Sequence, residues 1–575
     1  MRHETATRQA HFTETSGESV DVIIVGSGAA GLTAAVTAAK HGLQTLVLEK
    51  DAVFGGTTAI SGGGLWIPCS AAARRQGVSD SIDAARLYFR TMVGNRFDPV
   101  KTEGFLQNGP DMVDFIEANT GIRFFTTVDR PDYYPDQPGA SQGGRTIFPQ
   151  PFDARELGKE VGRLRKPARE TTFLGMMIKP GPDLHHFFNV FRSLRSAVFV
   201  SRRLLRNFRD LVAHGRSMDL ASGNALIAHL AKAALEAGVE IRTSSAVKEI
   251  ITEDGRAAGV NYSSAGAIFS VEAHKGIILA SGGFPHDLLR RRSVYRHAPT
   301  GAEHLSPAPA ANTGDGIRMA EALGAVTPEL TDAAAWVPVS EVKYSDGTTG
   351  VFPHLIDRQK PGFIAVTRNG RRFVNESHSY HEFCRGLAVA CASESEAVCY
   401  LLADRPTIRR YGVGYVRPSP VPLGAHLRSG YLLKGRTIGG LAKACGIDAP
   451  ALEATVEEFN RHARLGKDPA FGRGESAYNR YNGDPLHKPN PCVAPIEHGP
   501  FYAVKVRIGE LGTFAGVATD EKAHVLDGQG LPIPGLYAVG NDMSHIMGGN
   551  YIAGGTTLGP GMTFAYIAAN DIAAQ

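Results

Sequence analysis

The fold is decided by Val22-Ile-Ile-Val-Gly-Ser-Gly-Ala-Ala-Gly31, a β-branched run that ends in three glycines. An alanine-rich helical pattern follows from Leu32 to His41. In such a unit Gly26 makes the tight turn, Gly28 lets a pyrophosphate approach the backbone, and Gly31 lets the helix pack closely on the strand. The first turn of the helix also offers free N–H groups and partial positive charge. This stretch predicts an α/β, Rossmann-like dinucleotide-binding domain.

Further dinucleotide contacts are predicted at later strand ends. A second strand, Leu43 to Leu48, ends on Glu49, 18 residues after Gly31. At this position a carboxylate can accept a hydrogen bond from a ribose hydroxyl. The passage from strand into glycine recurs at Lys275 to Gly283 and at Leu536 to Asp542. No second G-x-G-x-x-G occurs, so one large dinucleotide, FAD, is expected, with electrons coming from the organic substrate or a separate donor. The predicted FAD contacts are Gly26, Ser27, Gly28, Ala30, Gly31, Glu49, Lys50, Gly55, Gly56, Thr57, Thr58, Ser61, Gly62, Gly63, Val247, Ser281, Gly282, Gly283, Gly540, Asn541, Asp542, Gly555 and Leu558.

Length and composition indicate a soluble globular protein of two or three domains, with 575 residues, 43% hydrophobic and 21% charged. A net charge of +4 over this length, without a basic arm, gives no indication of nucleic-acid binding. The six cysteines include no C-x-x-C pair, which favours free thiols in a reducing compartment. The first twenty residues lack an apolar signal core, and no apolar run reaches the roughly eighteen residues of a membrane span. A cytoplasmic location is expected, with contact to a membrane surface left open.

Four segments are predicted. Residues 1–19 form a flexible tail, 20–284 the first part of the FAD-binding domain, 285–508 an inserted α+β capping domain that carries catalytic residues, and 509–575 the second part of the FAD-binding domain. The insertion is inferred because the alternation of strands and helices becomes irregular after Gly283, whereas the capping and catalytic role of the insert is implied only by the family resemblance of the chain.

A basic amphipathic segment, residues 180–216, lies within the first part. Residues 155–216 carry fourteen Lys and Arg against five Asp and Glu. Apolar positions from Leu184 to Val212 predict an apolar stripe with a basic opposite face. Such a face suits an anionic membrane surface. A domain-covering helix or a subunit contact is nevertheless favoured, and the oligomeric state is left open.

Tyrosines in separate motifs are the candidates for chemistry. The C-terminal stretch Gly548 to Gly561 is too rich in glycine to build a core, and it leaves Tyr551 projecting toward whatever the backbone approaches. A flexible surface loop is the alternative. A proline-held loop carries the paired Tyr133 and Tyr134, and Tyr380 follows a predicted hairpin.

In this order of motifs the chain resembles the flavoprotein superfamily of fumarate reductases and 3-ketosteroid dehydrogenases over nearly its full length. The resemblance implies an FAD-binding domain in two halves with a capping domain between them. Fumarate reductases are similar at Asn375-Glu376, but they have a proton-donating Arg where this chain has Tyr380, and a substrate-gripping Arg where it has Tyr551. Without those arginines a dicarboxylate lacks a bidentate clamp, so that branch is disfavoured.

The tyrosines are similar to those of the 3-ketosteroid Δ1-dehydrogenase branch instead. This resemblance implies a catalytic set of Tyr551, Gly555, Tyr380 and an early-loop tyrosine, best matched by Tyr133, with the tyrosine after it as the alternative. The usual proline after the C-terminal tyrosine is Ile552 here. That difference bears on the substrate more than on the chemistry.

The chemistry agrees with these residue types. Removing two hydrogens beside a ketone needs donors aimed at the carbonyl oxygen, which Tyr551 and the Gly555 N–H would supply. Tyr380 is expected to take the α proton, helped by a hydrogen bond from Tyr133 because a free tyrosine has a pKa of about 10. The hydride would go to flavin N5. We therefore expect 1,2-desaturation of a 3-ketosteroid, a lipophilic ketone as substrate, and an electron acceptor that the sequence does not identify.

Three alternative functions stay open. The first is the same chemistry on a smaller cyclic ketone such as a cyclohexanone, and the second is a fumarate-type enoate reductase. From a different class, the chain could hold flavin or contact a membrane surface without turnover. His378 and His381 flank Tyr380, but no carboxylate or cysteine spacing supports a metal site, so no metal is expected.

Overall fold

The structure is a computed structural model that describes residues 17–177, 183, 186, 187, 189, 190 and 193–575. Residues 1–16 of the predicted tail therefore lie outside the described residues. So do residues 178–182, 184, 185, 188, 191 and 192, most of which belong to the predicted basic segment.

Among the described residues, an eight-stranded sheet carries the glycine-rich turn. Its main path follows the order His524–Leu526, Pro532–Ala538, Ala267–Leu279, Ser19–Val25, Thr45–Leu48 and Glu240–Arg242. The remaining two strands, Ser245–Glu253 and Arg256–Ser264, join it by antiparallel pairing. From Pro532–Ala538 across to Glu240–Arg242 neighbouring strands pair in parallel. The carboxyl ends of these parallel strands consequently open at one edge of the sheet.

The centre of this sheet is buried on both faces. Val22, Ile23 and Ile24 have no exposed surface, as a continuous β-branched run in a parallel sheet requires. The helix Ala29–Lys40 packs against the C-terminal helix Leu558–Ala574. The two ends of the chain thus build one layer, and the C-terminal glycine-rich stretch is brought to the carboxyl edge of the sheet.

A second, six-stranded sheet in the described part of the chain is antiparallel throughout. Its order is Thr349–Pro353, Ala334–Lys343, Phe501–Thr513, Val398–Asp404 and Phe363–Thr367, with Leu433–Gly435 paired to Phe501–Thr513. That long strand crosses the predicted boundary between residues 508 and 509, so the boundary falls inside an element. The division into four segments stays a prediction, whereas the predicted α/β fold class is confirmed.

Shorter elements connect and cover the two sheets. The other strands are Leu65–Trp66, Phe124–Thr126, Thr146–Pro149, Phe152–Asp153 and Asp219–Leu220. The other α-helices are Ala71–Arg75, Ile82–Val93, Pro99–Thr120, Leu194–His214, Ser222–Glu236, Leu288–Val294, Asp315–Ala322, Tyr380–Ala390, Arg405–Tyr411, Gly424–Arg428, Ile438–Cys445, Ala449–Ala463 and Ala477–Asn482.

Candidate active site

The glycine turn after the first strand opens onto a large cavity. Gly26 has a φ of +108°, and a Cβ there would lie 2.4 Å from the carbonyl oxygen of Ala280. At Gly28 the space is open, because the nearest atom to a Cβ would be Thr58 Oγ1 at 3.8 Å. The helix Ala29–Lys40 begins directly after Gly28 without a side-chain cap. The turn therefore offers helix N–H groups and an open cradle in which a phosphate of FAD can approach the backbone.

Glu49 lies at the end of the neighbouring strand and also lines the cavity. One carboxylate oxygen accepts from the Ser27 N–H at 3.1 Å and from the Ser27 hydroxyl. The other accepts from the Asp51 N–H at 2.8 Å. These bonds fix the carboxylate, and a carboxylate has about four acceptor positions, so it keeps capacity for a ribose hydroxyl.

The structure brings most of the predicted FAD contacts to this cavity. Those that line it are Gly26, Ser27, Gly28, Ala30, Glu49, Lys50, Gly56, Thr57, Thr58, Ser61, Gly62, Gly63, Val247, Ser281, Gly282, Gly540, Asn541, Gly555 and Leu558. They come from the carboxyl ends of several parallel strands and from the start of the C-terminal helix. The residues present fit a bound FAD.

Four predicted contacts lie behind the lining instead, namely Gly31, Gly55, Gly283 and Asp542. A Cβ at Gly31 would lie 2.0 Å from the carbonyl oxygen of Gly26, because this glycine packs the helix against the turn. Asp542 accepts from the Gly283 N–H at 2.9 Å. For these four residues the structure favours a role in supporting the cavity wall over direct contact with FAD.

Tyr133, Tyr380 and Tyr551 line the other end of the cavity. The Tyr133 hydroxyl donates to the Tyr380 hydroxyl across 3.0 Å. The ring centroid of Tyr551 lies 5.2 Å from that of Tyr380 and 6.0 Å from that of Tyr133. All three side chains are buried within one cluster. The predicted catalytic tyrosines, which lie far apart in sequence, are thus neighbours in the fold.

Backbone contacts hold the early loop against the C-terminal stretch. The Tyr133 N–H donates to the Ile552 carbonyl at 3.0 Å, and the Tyr88 hydroxyl donates to the same carbonyl at 2.7 Å. Asp132 accepts from Trp66 Nε1 at 2.9 Å. The loop position is therefore set by buried hydrogen bonds to two other parts of the fold.

Tyr380 is the first residue of the helix Tyr380–Ala390, which is capped by the Ser379 hydroxyl accepting from the Glu382 N–H. Burial raises the pKa of the Tyr380 phenol well above its usual value. The partial positive charge at the helix N-terminus favours a phenolate there and opposes that effect. The Tyr133 hydroxyl, which donates to the Tyr380 hydroxyl, is placed to donate to a phenolate as well.

Gly555 lies where a side chain cannot stand. Its φ is +96°, and a Cβ would lie 2.7 Å from the Gly64 carbonyl carbon. Among the hydrogen bonds of the described residues, none uses the Gly555 N–H. Because Gly555 lines the cavity together with Tyr551, one N–H donor and one phenol are available there for a ligand oxygen.

The structure distinguishes the paired tyrosines of the early loop. The Tyr134 hydroxyl donates to Glu382 at 2.9 Å. Within the described part of the chain Tyr134 is not among the cavity-lining residues, whereas Tyr133 is. Tyr133 is therefore the better candidate for a catalytic role.

The sequence analysis missed several cavity residues, among them Tyr478 and Arg130. Tyr478 lies on the helix Ala477–Asn482 with its ring centroid 4.6 Å from that of Tyr133. No motif marks it among the 17 tyrosines of the chain. Arg130 precedes Tyr133 by three residues and also lines the cavity. A cation beside a candidate catalytic tyrosine in the same loop was the available signal.

Residues around Tyr380 serve the fold. Glu376 is fully buried and forms an ion pair with Arg372 at 2.7 Å. His381 is fully buried, its Nδ1 accepts from the Trp336 N–H at 3.2 Å, and burial lowers its pKa to about 3. In the described ranges no group of three His, Cys, Asp or Glu is placed to hold a metal ion.

The helix Leu194–His214 of the basic segment exposes its apolar side chains. The exposed residues of this face are Leu194, Val198, Leu205, Phe208 and Val212, which lie on one narrow stripe at 3.6 residues per turn. Its buried positions include Ser196, Asn207 and Asp210. The apolar stripe is therefore exposed in the single chain, and the choice between a domain-covering helix, a subunit contact and a membrane surface stays a prediction. Most of residues 178–192 lie outside the described residues, and none of the described helices is long and apolar enough to cross a bilayer.

A family model described as an FAD binding domain matches residues 21–558, so the chain belongs to that family of FAD-binding flavoproteins. It is 40% identical to a 4-oxocyclohex-2-ene-1-carboxylate 5-dehydrogenase of Sinomonas cyclohexanicum, over 96% of this chain and 93% of that protein. It is 38% identical to a 3-oxosteroid 1-dehydrogenase of Mycolicibacterium smegmatis, over 97% of this chain and 98% of that protein.

Among solved structures, it matches the 3-ketosteroid delta1-dehydrogenase of Sterolibacterium denitrificans in complex with 1,4-androstadiene-3,17-dione. The TM-score is 0.89 at 36% identity, over 97% of this chain and 100% of that chain. The predicted resemblance, the FAD cofactor and the oxidoreductase class are confirmed by these comparisons.

Proposed function

We propose that the chain desaturates the carbon-carbon bond beside a ring ketone. The observation that carries this proposal is the convergence of Tyr133, Tyr380, Tyr551 and Gly555 on the cavity that holds the FAD-binding residues. A dehydrogenation of this kind needs an electrophilic pair for the ketone oxygen and a base for the α proton, and these four residues supply both.

The electrophilic pair is the Tyr551 hydroxyl and the unused Gly555 N–H. As the α proton leaves, negative charge develops on the ketone oxygen, and two fixed donors in a buried site stabilise it. Gly555 is held by its carbonyl, which accepts from the Trp66 N–H at 3.0 Å and from the Gly559 N–H at 2.9 Å. Its N–H therefore needs little reorganisation during the reaction.

The base is Tyr380, in phenolate form, with the Tyr133 hydroxyl donating to it at 3.0 Å. Proton transfer to a positioned side chain contributes about 10²- to 10⁴-fold to rate. Bound FAD supplies the acceptor for the hydride that leaves the β carbon. The neighbouring phenols exclude water from the bond that loses its two hydrogens.

The names of the relatives support a ring ketone. One is named for a 3-oxosteroid and one for a 4-oxocyclohexene carboxylate, and both names describe the dehydrogenation of a compound that carries a ring ketone. The 3-ketosteroid that the sequence favoured is one candidate substrate. The smaller cyclic ketone is the second, favoured by the position of Arg130 considered below.

Anaerobic titration of the purified yellow protein tests the proposal. 4-Androstene-3,17-dione or a substituted cyclohexanone should bleach the flavin absorbance band, and the product should carry a new double bond beside the ketone. Oxidation of a reduced dye by fumarate, without bleaching by any ring ketone, would favour an enoate reductase instead. A flavoprotein that no ring ketone reduces would refute the desaturase.

We also propose that the exposed face of helix Leu194–His214 contacts an anionic membrane. Arg195, Arg202 and Arg209 form no ion pair within the described part of the chain and flank the apolar stripe, so they complement negatively charged lipid. The experiment is co-sedimentation with phosphatidylglycerol vesicles, with neutral phosphatidylcholine vesicles as the reference.

The double variant Leu205→Gln/Phe208→Gln should lose most of the co-sedimentation. Leu289→Gln, which also changes an exposed leucine, serves as the matched control and should behave as wild type. Wild-type protein that ignores vesicles but forms a dimer sensitive to the double variant would overturn the membrane contact in favour of a second copy of the chain.

A further inference from the structure

The cations of the cavity differ in their partners. Lys50 pairs with Asp315 at 2.7 Å, and Arg165 pairs with Asp51. Both therefore have a carboxylate within the protein. Arg130 lines the same cavity, yet among the described residues no ion pair and no side-chain hydrogen bond involves it.

Arg130 lies at the tyrosine end of the cavity. Its Nη2 is 2.9 Å from the point where a Cβ on Gly554 would stand, and the Tyr133 hydroxyl is 3.4 Å from the same point. The guanidinium carbon lies 5.3 Å from the ring centroid of Phe148. The guanidinium thus shares the space above Gly554 with a catalytic phenol, and an aromatic ring borders it.

The guanidinium stays charged in this position. Burial opposes the charge, but the surrounding phenols, beginning with Tyr133, favour it, and the pKa of Arg130 lies above its usual value. A ligand that fills the cavity displaces water, so an uncharged ligand leaves a desolvated cation without an anion. That situation costs free energy, whereas a carboxylate on the ligand removes the cost through a bidentate pair.

We propose that Arg130 binds the carboxylate of the substrate, and that the substrate class is a small cyclic keto acid. This inference rests on the proposed desaturation of a ring ketone. Gly554 and Gly555 are consecutive, with Cα atoms about 3.8 Å apart, so the guanidinium and the ketone donors are separated by a short distance. A single six-membered ring with a ketone and a carboxylate on opposite carbons is short enough to reach both groups, because each of its polar ends stands a hydrogen-bond length from its donors.

A 3-ketosteroid fits this arrangement less well. Its ketone-bearing ring carries hydrocarbon where the keto acid carries a carboxylate, so it would place apolar carbon against an unpaired guanidinium. The face of a guanidinium can pack on rings, and slow turnover of steroids is therefore compatible with the site. Arg130 determines the preference for the keto acid over the steroid, measured as the ratio of their kcat/KM values.

The experiment compares 4-oxocyclohexane-1-carboxylate with its ethyl ester, which keeps the ring and ketone but lacks the charge. Wild type should prefer the acid. Arg130→Gln should raise KM for the acid by about 10- to 150-fold, the range expected for hydrogen bonds to a charged group, and change KM for the ester less than threefold. Arg123→Gln, whose guanidinium is largely exposed and pairs with Glu117 at 3.4 Å, is the matched control.

A second measurement does not depend on turnover. Cyclohexanecarboxylate, which has no ketone, should perturb the flavin spectrum of wild type and of Arg123→Gln at lower concentration than of Arg130→Gln. If Arg130→Gln folds poorly, Arg130→Lys replaces it, because it keeps the charge and loses the bidentate geometry. An intermediate KM for the acid is then expected.

Several results would overturn the assignment. In Arg130→Gln, these results are an unchanged KM for the acid, an equal increase in KM for the acid and the ester, or loss of FAD. In wild type, the result is a preference for the ester or for 4-androstene-3,17-dione over the acid. In each of these the flavin is still bleached by some ring ketone in wild type, so the desaturase survives. Absence of bleaching by every ring ketone refutes the desaturase itself.

Discussion

The two ends of the cavity are built in different ways. At the FAD end, Gly26 and Glu49 follow directly on strands of one parallel sheet, and Gly540 follows another of its strands after one residue, so short sequence patterns determine where they lie. At the tyrosine end, Tyr133 and Tyr551 come from loops far apart in sequence and meet through a backbone hydrogen bond to Ile552. The first end follows local rules, whereas the second depends on packing of the whole fold.

Substitution of Tyr380 by Phe should give the largest loss of turnover, and this effect should be confined to the tyrosine end of the cavity. Turnover is expected to fall by about 10²- to 10⁴-fold because the base is lost, while the bound flavin stays at wild-type level. Stopped-flow measurement of flavin reduction gives the turnover, and flavin absorbance gives the amount of bound flavin. Tyr134→Phe, whose hydroxyl contacts Glu382 outside the cavity lining, should stay within a few-fold of wild type. Loss of FAD in Tyr380→Phe would show that the two ends are not separable.

Gly28→Ala should have an intermediate effect, at the FAD end. The new Cβ has no protein atom nearer than Thr58 Oγ1 at 3.8 Å, so the FAD-free protein should melt as wild type does. The methyl group would occupy cofactor space, and FAD should bind about 5- to 150-fold more weakly, as expected for overpacking by about 1–3 kcal/mol.

Gly31→Ala is the matched comparison for that variant. Its Cβ would lie 2.0 Å from the Gly26 carbonyl oxygen, so the protein itself should be destabilised, with a lower melting temperature even without FAD. Fluorescence titration of FAD and thermal melts separate the two cases. A destabilised Gly28→Ala protein without FAD would contradict the open cradle.

The smallest effect of a substitution is expected for Tyr133→Phe, and this prediction and the pH dependence of the reaction both return to the tyrosine end. Burial raises the pKa of Tyr380 well above its usual value, and the deprotonated form is the base. Its fraction therefore grows with pH, and kcat/KM for a neutral ring ketone should rise from pH 7 to pH 10 without a plateau.

Tyr133→Phe removes a donor to the phenolate, worth about 1 kcal/mol, and should lower the rate about fivefold at each pH. A flat profile, or one that falls with pH, would exclude Tyr380 as the base.

The resemblance to the 3-ketosteroid dehydrogenase branch was visible because each motif tyrosine has recognisable neighbours. Tyr478 and Arg130 were not found, since Tyr478 has no motif and the position of Arg130 three residues before Tyr133 does not reveal that it lacks an ion pair within the described residues. The role of the exposed apolar stripe of Leu194–His214 stays undecided from the sequence for a related reason. Periodicity shows that a helix is amphipathic but not which face it turns to solvent.

By itself, the sequence determined the parallel FAD-binding sheet, its glycine turn, Glu49 and the chemical type of the C-terminal loop. These depend on hydrophobic runs, φ values that require glycine, and spacings within one supersecondary unit. Only the tertiary structure decided that Tyr133 rather than Tyr134 lines the cavity, that the Gly555 N–H is unused, and that Arg130 lacks a carboxylate partner among the described residues. Such facts concern which groups remain without partners once the chain has folded, and they depend on contacts between segments that are distant in sequence.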